Sequence, residues 1–442
     1  MQDRVLSSLD QAAVRFIRIL WCDNANIIRA KAVHRNRLRD YSTHGVGISA
    51  GQQAIPVMFD APVPGVGLGP VGEIRLVPDW NTLTIIPYAI GHARVMGDMI
   101  KDGQPWSFCP RDCLKRAIAT AKDQGLEIKA AFENEFYLLK SLSGEIVPAD
   151  DTVFATTLSM DLQQRTIDEI SESLIAQGIS VEQYYPESGP GQQEISILYT
   201  DAAIAADQQI IFRETVKAIA RQHNLNASFL PKIFPNQAGS GAHLHLSLWE
   251  GENNLLPDET GKLSPLAGYF VAGLLQHLDA LMALTTPSPN SYRRIQPQTW
   301  SGAFCCWGYD NREAAIRVPT NPEPPSPTHL ELKTVDATAN PYIALAGIIA
   351  AGLDGVRRRL ELPLPVTVDP CTLTESERNE RGIYRLPTNL GESIQKLQQD
   401  QVLIEALGSD LAKAYLAVRQ AEWNAMKDWQ LEQEVKLLVD RY

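Results

Sequence analysis

The alternation of apolar and polar positions divides the chain into two textures. Up to about residue 104, apolar residues come in short runs bounded by turn residues, as in "RFIRILWCD" and "EIRLVPDWNTLTIIPY", with one Gly/Pro loop at "APVPGVGLGPVGE". Such runs predict strands and turns. After "DGQP" the period lengthens. "PRDCLKRAIATAKDQG" reads as a helix that opens on Pro110 and ends at Gly125. Strands and long helices then alternate, and the chain finishes in helical segments, "SIQKLQQDQVLIEAL" and "EWNAMKDWQLEQEVKLLV". The pattern predicts an α+β protein with a small β-rich domain over residues 1–104 and a large domain over residues 105–442.

Four strand-like segments share one peculiarity. In "GSGAHLHLSL", His243, His245 and Ser247 fall on one face, with Ala242, Leu244, Leu246 and Leu248 on the other. Alone, this reads as a half-buried strand carrying two hydrated histidines. In "AAFENEFYLL", Glu133 and Glu135 share a face opposite Phe132, Phe136 and Leu138. In "PESGPGQQEISI", Glu187 precedes a Gly/Pro turn and Glu194 enters an apolar strand. In "HLELKTV", Glu331 shares a face with His329 and Lys333, opposite Leu330 and Leu332. Each Glu by itself reads as part of a solvated strand face. On a shared sheet the four strands bring five carboxylates together. Two carboxylates about 4 Å apart repel by about 4 kcal/mol at an effective dielectric near 20, so such a cluster requires cations or protonation. Carboxylates with an occasional imidazole suit Mg²⁺ or Mn²⁺ better than zinc or copper, and magnesium with few protein ligands points to phosphate chemistry.

Charge and composition narrow the field. The formal charge of -12 excludes the basic footprint of a nucleic-acid partner. The longest apolar run, Tyr342–Leu353, is short of a membrane span. The opening "MQDRVLSSLDQAAVRFIRILW" is not expected to be a secretory signal. Six scattered cysteines without a C-x-x-C pair fit a reduced, cytoplasmic protein. Arginines that suit phosphate and carboxylate stand in "NSYRRIQP" (Arg293, read as a surface residue, and Arg294) and in "YDNREAAIRVP" (Arg312 and Arg317). With no P-loop and no G-x-G-x-x-G, a nucleotide would have to be held by metals and arginines across a sheet.

Taken together, the motifs match a known family. "AAFENEFYLL", "ESGPGQQEI", "AGSGAHLHLSL", "NSYRRIQP", "DNREAAIRVP" and "LELKTVDATANPYIAL" follow the order and spacing of the glutamine synthetase superfamily, and "VPDWNTLTIIPY" resembles its P-D-x-x-T segment. "TWSGAFCCWGYDNREA" is most similar to the class-I-like branch that plants fuse to nodulin-type domains. The resemblance implies a small β-grasp domain and a large catalytic domain with a curved antiparallel sheet flanked by helices. It also implies a homo-oligomeric ring, decamer or dodecamer, with active sites between neighbouring subunits. Carried over by motif, Glu135, Glu187 and Glu194 would hold one Mg²⁺ or Mn²⁺, and Glu133, His243 and Glu331 a second. Glu182, His245, Ser247, Arg312 and Arg317 would contact ATP. Gly239, Arg294 and Lys333 would contact glutamate, with Arg294 and Arg312 also catalytic. The implied reaction makes γ-glutamyl phosphate and ADP, and an amine or ammonia then displaces phosphate.

The sequence departs from the ammonia-using members at informative positions. Their glutamate after "P-G-Y" is Trp300 here, and their D-G-S-S stretch is "GVGISAGQQAI", which has no acid. Both carboxylates that would attract ammonium are therefore missing. The family's two arginines around Glu331 are His329 and Lys333, and the Asn before G-S-G is Ala238. These changes favour an organic amine, which Trp300 would meet as an apolar wall. Glutamine synthesis from ammonia, phosphorylation of a carboxylate or guanidino group without ligation, and a non-catalytic scaffold are the alternatives. The scaffold is disfavoured by the intact set of six metal ligands.

Overall fold

The computed structural model describes residues 9–142, 145–322 and 325–442. Its N-terminal sheet has the spatial order Ile28–His34, Phe16–Cys22, His92–Lys101, Glu73–Ile85, Val46–Ser49. Phe16–Cys22 and His92–Lys101 are parallel neighbours, and the remaining pairs along this order are antiparallel. The region is not wholly strands and turns. Short helical turns at Arg35–Arg37, Leu38–Tyr41 and Ala50–Ala54 lie between the strands. His34 and Ser49 open the first and last of these with side-chain caps, which short polar-tipped residues supply to unpaired amides.

The second sheet has twelve strands. Its main path runs Tyr384–Arg385, Phe304–Tyr309, Ala314–Val318, Leu330–Leu332, Ala242–Glu250, Glu127–Leu142, Gln192–Ile197, Val181–Pro186. Along this path the pairing is antiparallel except between Phe304–Tyr309 and Ala314–Val318, which run parallel, so the expectation of an antiparallel sheet holds with that one correction. Period-two alternation sorts the central strands. Ala242, Leu244, Leu246 and Leu248 are at most 1% exposed and face the helices, as do Phe132, Phe136 and Leu138. Burying each of the larger apolar side chains contributes about 1.5–3 kcal/mol. Asn134 also lies on that apolar face, where it exchanges two 2.7 Å hydrogen bonds with Gln209.

Long helices cover the apolar face. Pro265–Thr285 and Pro341–Arg358 both place Pro in their first turn and carry side-chain caps from Ser264 and Asn340. Pro265–Thr285 is long and apolar enough to cross a membrane by length and composition, more so than the Tyr342–Leu353 run. Here 78% of its apolar window is buried, because it is a core helix packed on Pro341–Arg358.

Candidate active site

Strand register assembles the polar face. His243 stands opposite Glu133 on the central pair. His245 stands opposite Glu331, and Glu331 opposite Arg317. On the other side Glu194 pairs with Glu135, and Tyr185 with Glu194. Neighbours on one sheet face at such positions lie within side-chain reach. The four segments singled out by pattern therefore meet in one row, and Glu187 joins it from the turn after Val181–Pro186.

Two groups result. In one, Glu135, Glu187 and Glu194 place carboxylate oxygens within 4.8 Å of one another. In the other, Glu133, His245 and Glu331 do the same with one imidazole nitrogen. His243 lies between them: its Nδ1 is 3.0 Å from Glu133 and 3.5 Å from Glu331, and its Nε2 is 3.8 Å from Glu135. The histidines face carboxylates rather than standing alone on a solvated strand. His243 is 7% exposed, and His245 touches Glu133 at 3.4 Å.

The charge states of the groups differ. Burial alone would raise Glu331, but Lys333 and both histidines hold it far below the usual carboxylate range. Lys333 Nζ donates to one oxygen of Glu331 at 2.9 Å, and Arg317 Nη1 donates to the other at 3.0 Å. Burial likewise opposes ionisation of Glu133, and hydrogen bonds from His243 and His245 keep it well below that range. Burial and Lys333 push His243 down to about 4, leaving a neutral imidazole. In the other group burial, then Glu187, pushes Glu135 up to about 7. Burial and the surrounding carboxylates also raise Glu194 strongly. The donors to this second group are neutral: Gly241 N–H reaches Glu135 at 2.8 Å and Tyr185 O–H reaches Glu194 at 3.2 Å. Arg294 acts on Glu135 without an ion pair. These oxygens fit a hard divalent cation.

Two cavities open on the row and share Glu133, Tyr185 and Glu194. The first, about 570 Å³, reaches all six predicted metal ligands together with Gly239, Arg294, Trp300, Arg312, Arg317 and Lys333. The second, about 610 Å³, is lined by Glu182, His245, Ser247, Tyr199 and Trp249 among others. Tyr199 stacks on Trp249, and Lys129 lies 4.0 Å over the same indole. Ser247 accepts a 2.7 Å hydrogen bond from Trp249 Nε1.

Several predicted residues do more local work than their motifs suggested. Arg294 is 5% exposed, and its Nη2 donates to the carbonyls of Lys333 and Val335 at 3.0 and 2.9 Å. Gly239 is required there, since a Cβ would stand 2.5 Å from Arg294 Cγ. Lys333 and Arg317 both hold Glu331, while Arg312 is exposed at the cavity wall. Arg293 is not a free surface residue: it forms a two-point pair with the buried Glu434 at 2.8 Å for each bond. Trp300 lines the first cavity. It is 58% exposed at the first cavity, with φ of 56°. Gln298, with φ of 61°, shares that left-handed conformation. Glu313 holds both residues by accepting the backbone N–H groups of Trp300 at 2.9 Å and Gln298 at 3.1 Å.

Glu313 and Tyr185 were not singled out by sequence reasoning. Glu313 sits inside the quoted "DNREAAIRVP", but nothing in its spacing reveals a loop thirteen residues upstream. Tyr185 alternates with Glu187 in "YYPE", a period-two signal that could have placed it on the polar face.

Residues 1–106 match the glutamine synthetase N-terminal domain family and residues 107–438 the glutamine synthetase catalytic domain family. Type-1 glutamine synthetase 1 of Dictyostelium discoideum is 35% identical, covering 99% of this chain and 91% of that protein. Gamma-glutamylpolyamine synthetase GlnA3 of Streptomyces coelicolor is 37% identical over 92% of this chain and 90% of its own length. A solved GmaS/ADP complex superposes with a TM-score of 0.85 at 30% identity, covering 99% of both chains. With both domains matched and the carboxylate row assembled between two cavities, this chain belongs to the glutamine synthetase family of ligases.

Proposed function

We propose that the chain joins the γ-carboxylate of glutamate to an organic amine at the expense of ATP. The observation that carries the reading is the pair of cavities meeting at Glu133 and Glu194, with Trp300 at the mouth of the one that holds Arg294. ATP enters the second cavity, where the Tyr199–Trp249 stack and Lys129 offer a base an aromatic and cationic surface. Its phosphates then reach the carboxylate row, where Arg317 and Arg312 stand on the far side. Glutamate occupies the first cavity against Arg294 and Gly239. Glu135, Glu187 and Glu194 would hold one Mg²⁺ or Mn²⁺, and Glu133, Glu331 and the neutral His243 a second, which would supply charge neutralisation for phosphoryl transfer. His245 stays hydrogen-bonded to Glu133 and orients it. The acyl phosphate formed in the first cavity, with ADP as the other product, is attacked by the amine, which enters past Trp300; the C–N bond forms as the C–O bond to phosphate breaks, phosphate leaves and the nitrogen gives up a proton.

One name among the relatives supports the amine: GlnA3, 37% identical over 92% of this chain, is a gamma-glutamylpolyamine synthetase. Every residue lining the two cavities lies between positions 129 and 333, so the N-terminal sheet of the same chain adds nothing to them. That supports a homo-oligomeric ring in which a neighbour's N-terminal domain completes the acceptor side.

Phosphate release from ATP with glutamate and a panel of amines tests the reading. We expect kcat/KM for some organic amine to exceed that for ammonia at least about tenfold, roughly 1.4 kcal/mol. Efficient turnover with ammonia and none with any amine would refute it and leave ordinary glutamine synthesis.

A further inference from the structure

The helix Ala202–Gln222 carries Arg213, Lys217 and Arg221 at intervals of four, so three cations share one face. Like charges so placed weaken a helix unless something answers them. The face lines a cavity of about 460 Å³ that shares no residue with the two cavities of the carboxylate row. Arg18 and Arg29 enter it from the N-terminal sheet, and Arg441 from the end of the chain. Six cations thus meet three acids, Asp60, Glu214 and Asp440. Among the described residues no ion pair joins these acids to these cations.

Of the cations that find a partner among the described residues, only Arg29 has an acid; the others meet neutral groups. Arg29 pairs with the buried Asp23 at 2.6 Å. Lys217 donates only to the backbone oxygens of Asp440 and Tyr442, at 2.9 and 3.0 Å. Arg441 donates to the carbonyl of Val57. Arg18 meets the imidazole of His92 at 3.2 Å. Arg213 is the outlier: it is 2% exposed, its Nε has no partner, and it forms no hydrogen bond or ion pair among the described residues. A buried guanidinium left unpaired is strongly unfavourable. Burial, followed by Arg213, also pushes the Lys217 amine down to about 7, although Glu214 and Asp440 act the other way.

We propose that this cavity between the N-terminal sheet and the Ala202–Gln222 helix is a second ligand site, which takes a small molecule carrying at least two negative charges as carboxylate or phosphate groups. Arginine forks match both groups, and the volume falls within the range of small-molecule sites. The ligand supplies the counter-charge that Arg213 lacks. The proposal does not depend on the identity of the amine.

The test is isothermal titration of the full chain with succinate, citrate, inorganic phosphate and pyrophosphate at matched ionic strength. Arg18→Ala/Arg221→Ala changes the cavity's less buried cations and leaves Arg213 in place. Arg317→Ala changes the carboxylate row instead. We expect at least one probe to bind with a Kd below about 1 mM. That affinity should fall at least about tenfold in Arg18→Ala/Arg221→Ala and stay within about twofold in Arg317→Ala. Tighter binding of the carboxylates or of the phosphates identifies the source of the charge. Binding lost in Arg317→Ala and kept in the double variant would place the anion at the carboxylate row and overturn the proposal. Absence of binding by all four probes to the unaltered protein would overturn it too.

Discussion

The two carboxylate groups lie on one face of one sheet and share the strand Glu127–Leu142, yet they are electrostatic opposites. Glu133 and Glu331 are surrounded by the protein's own cations and hydrogen-bond donors: Lys333, Arg317 and two imidazoles. They are ionised without help. Glu135, Glu187 and Glu194 have only neutral donors in contact apart from the distant edge of His243, and burial raises Glu135 and Glu194. The same residue type in the same sheet thus meets opposite fates according to which strand lies alongside. A self-compensated group can form part of a stable scaffold. An uncompensated one stores repulsion that a divalent cation relieves.

The largest effect should come from the uncompensated group. Glu135→Ala removes one of the three clustered carboxylates of that group, and turnover measured as phosphate release should fall at least about a thousandfold, roughly 4 kcal/mol. Near-normal turnover would show that this group is not the functional one. Stability should separate the groups in opposite directions. Lys333→Met strips a buried Glu331 of one partner and should cost about 3 kcal/mol in denaturant unfolding. Glu194→Gln keeps the shape of a carboxyl that burial and its neighbours already keep protonated, and should leave the metal-free fold no less stable. If both substitutions destabilised equally, the two groups would not differ as their neighbours imply.

A third measurement uses pH. Glu135 and Glu194 have folded-state pKa values above their ordinary range. Between about pH 5 and 7 the folded state therefore binds more protons than the unfolded one, and metal-free stability falls as pH rises. Mg²⁺ holds the carboxylates ionised and should flatten that fall, adding about 2.7 kcal/mol at a hundredfold excess over its Kd. Glu422, which burial pushes up to about 7, slopes both curves alike, so the difference isolates the metal group. Thermal melts at several pH values with EDTA or Mg²⁺ provide the readout; parallel curves would contradict the assignment. The smallest effect concerns the acceptor side. Glu313→Ala frees the two left-handed residues Gln298 and Trp300, and should raise KM for the amine about fivefold with little change in the KM for ATP, a difference of roughly 1 kcal/mol. Equal shifts in both would mean that Glu313 supports the whole site rather than the Trp300 loop.

The sequence by itself determined the faces. Period-two alternation assigned His243, His245, Glu133, Glu135 and Glu331 to the polar sides of their strands, and ordered motifs identified the family. Pro110 and Gly125 bracketed a helix that the structure places at Pro110–Asp123. These features were legible because side-chain direction and capping are set by residues within one or two turns. The tertiary structure decided what each face meets. Strand register put Arg317 and Lys333 on Glu331 and left Glu135 beside Glu194, a choice that no local pattern encodes. Glu434 took Arg293 from 141 residues away, and Glu313 captured the Trp300 backbone. The helix face of Arg213, Lys217 and Arg221 could be counted in the sequence, but only its packing beside the N-terminal sheet closed it into a cavity. Charge state follows from burial and neighbours within a few ångströms, and those neighbours are brought together only when the chain folds.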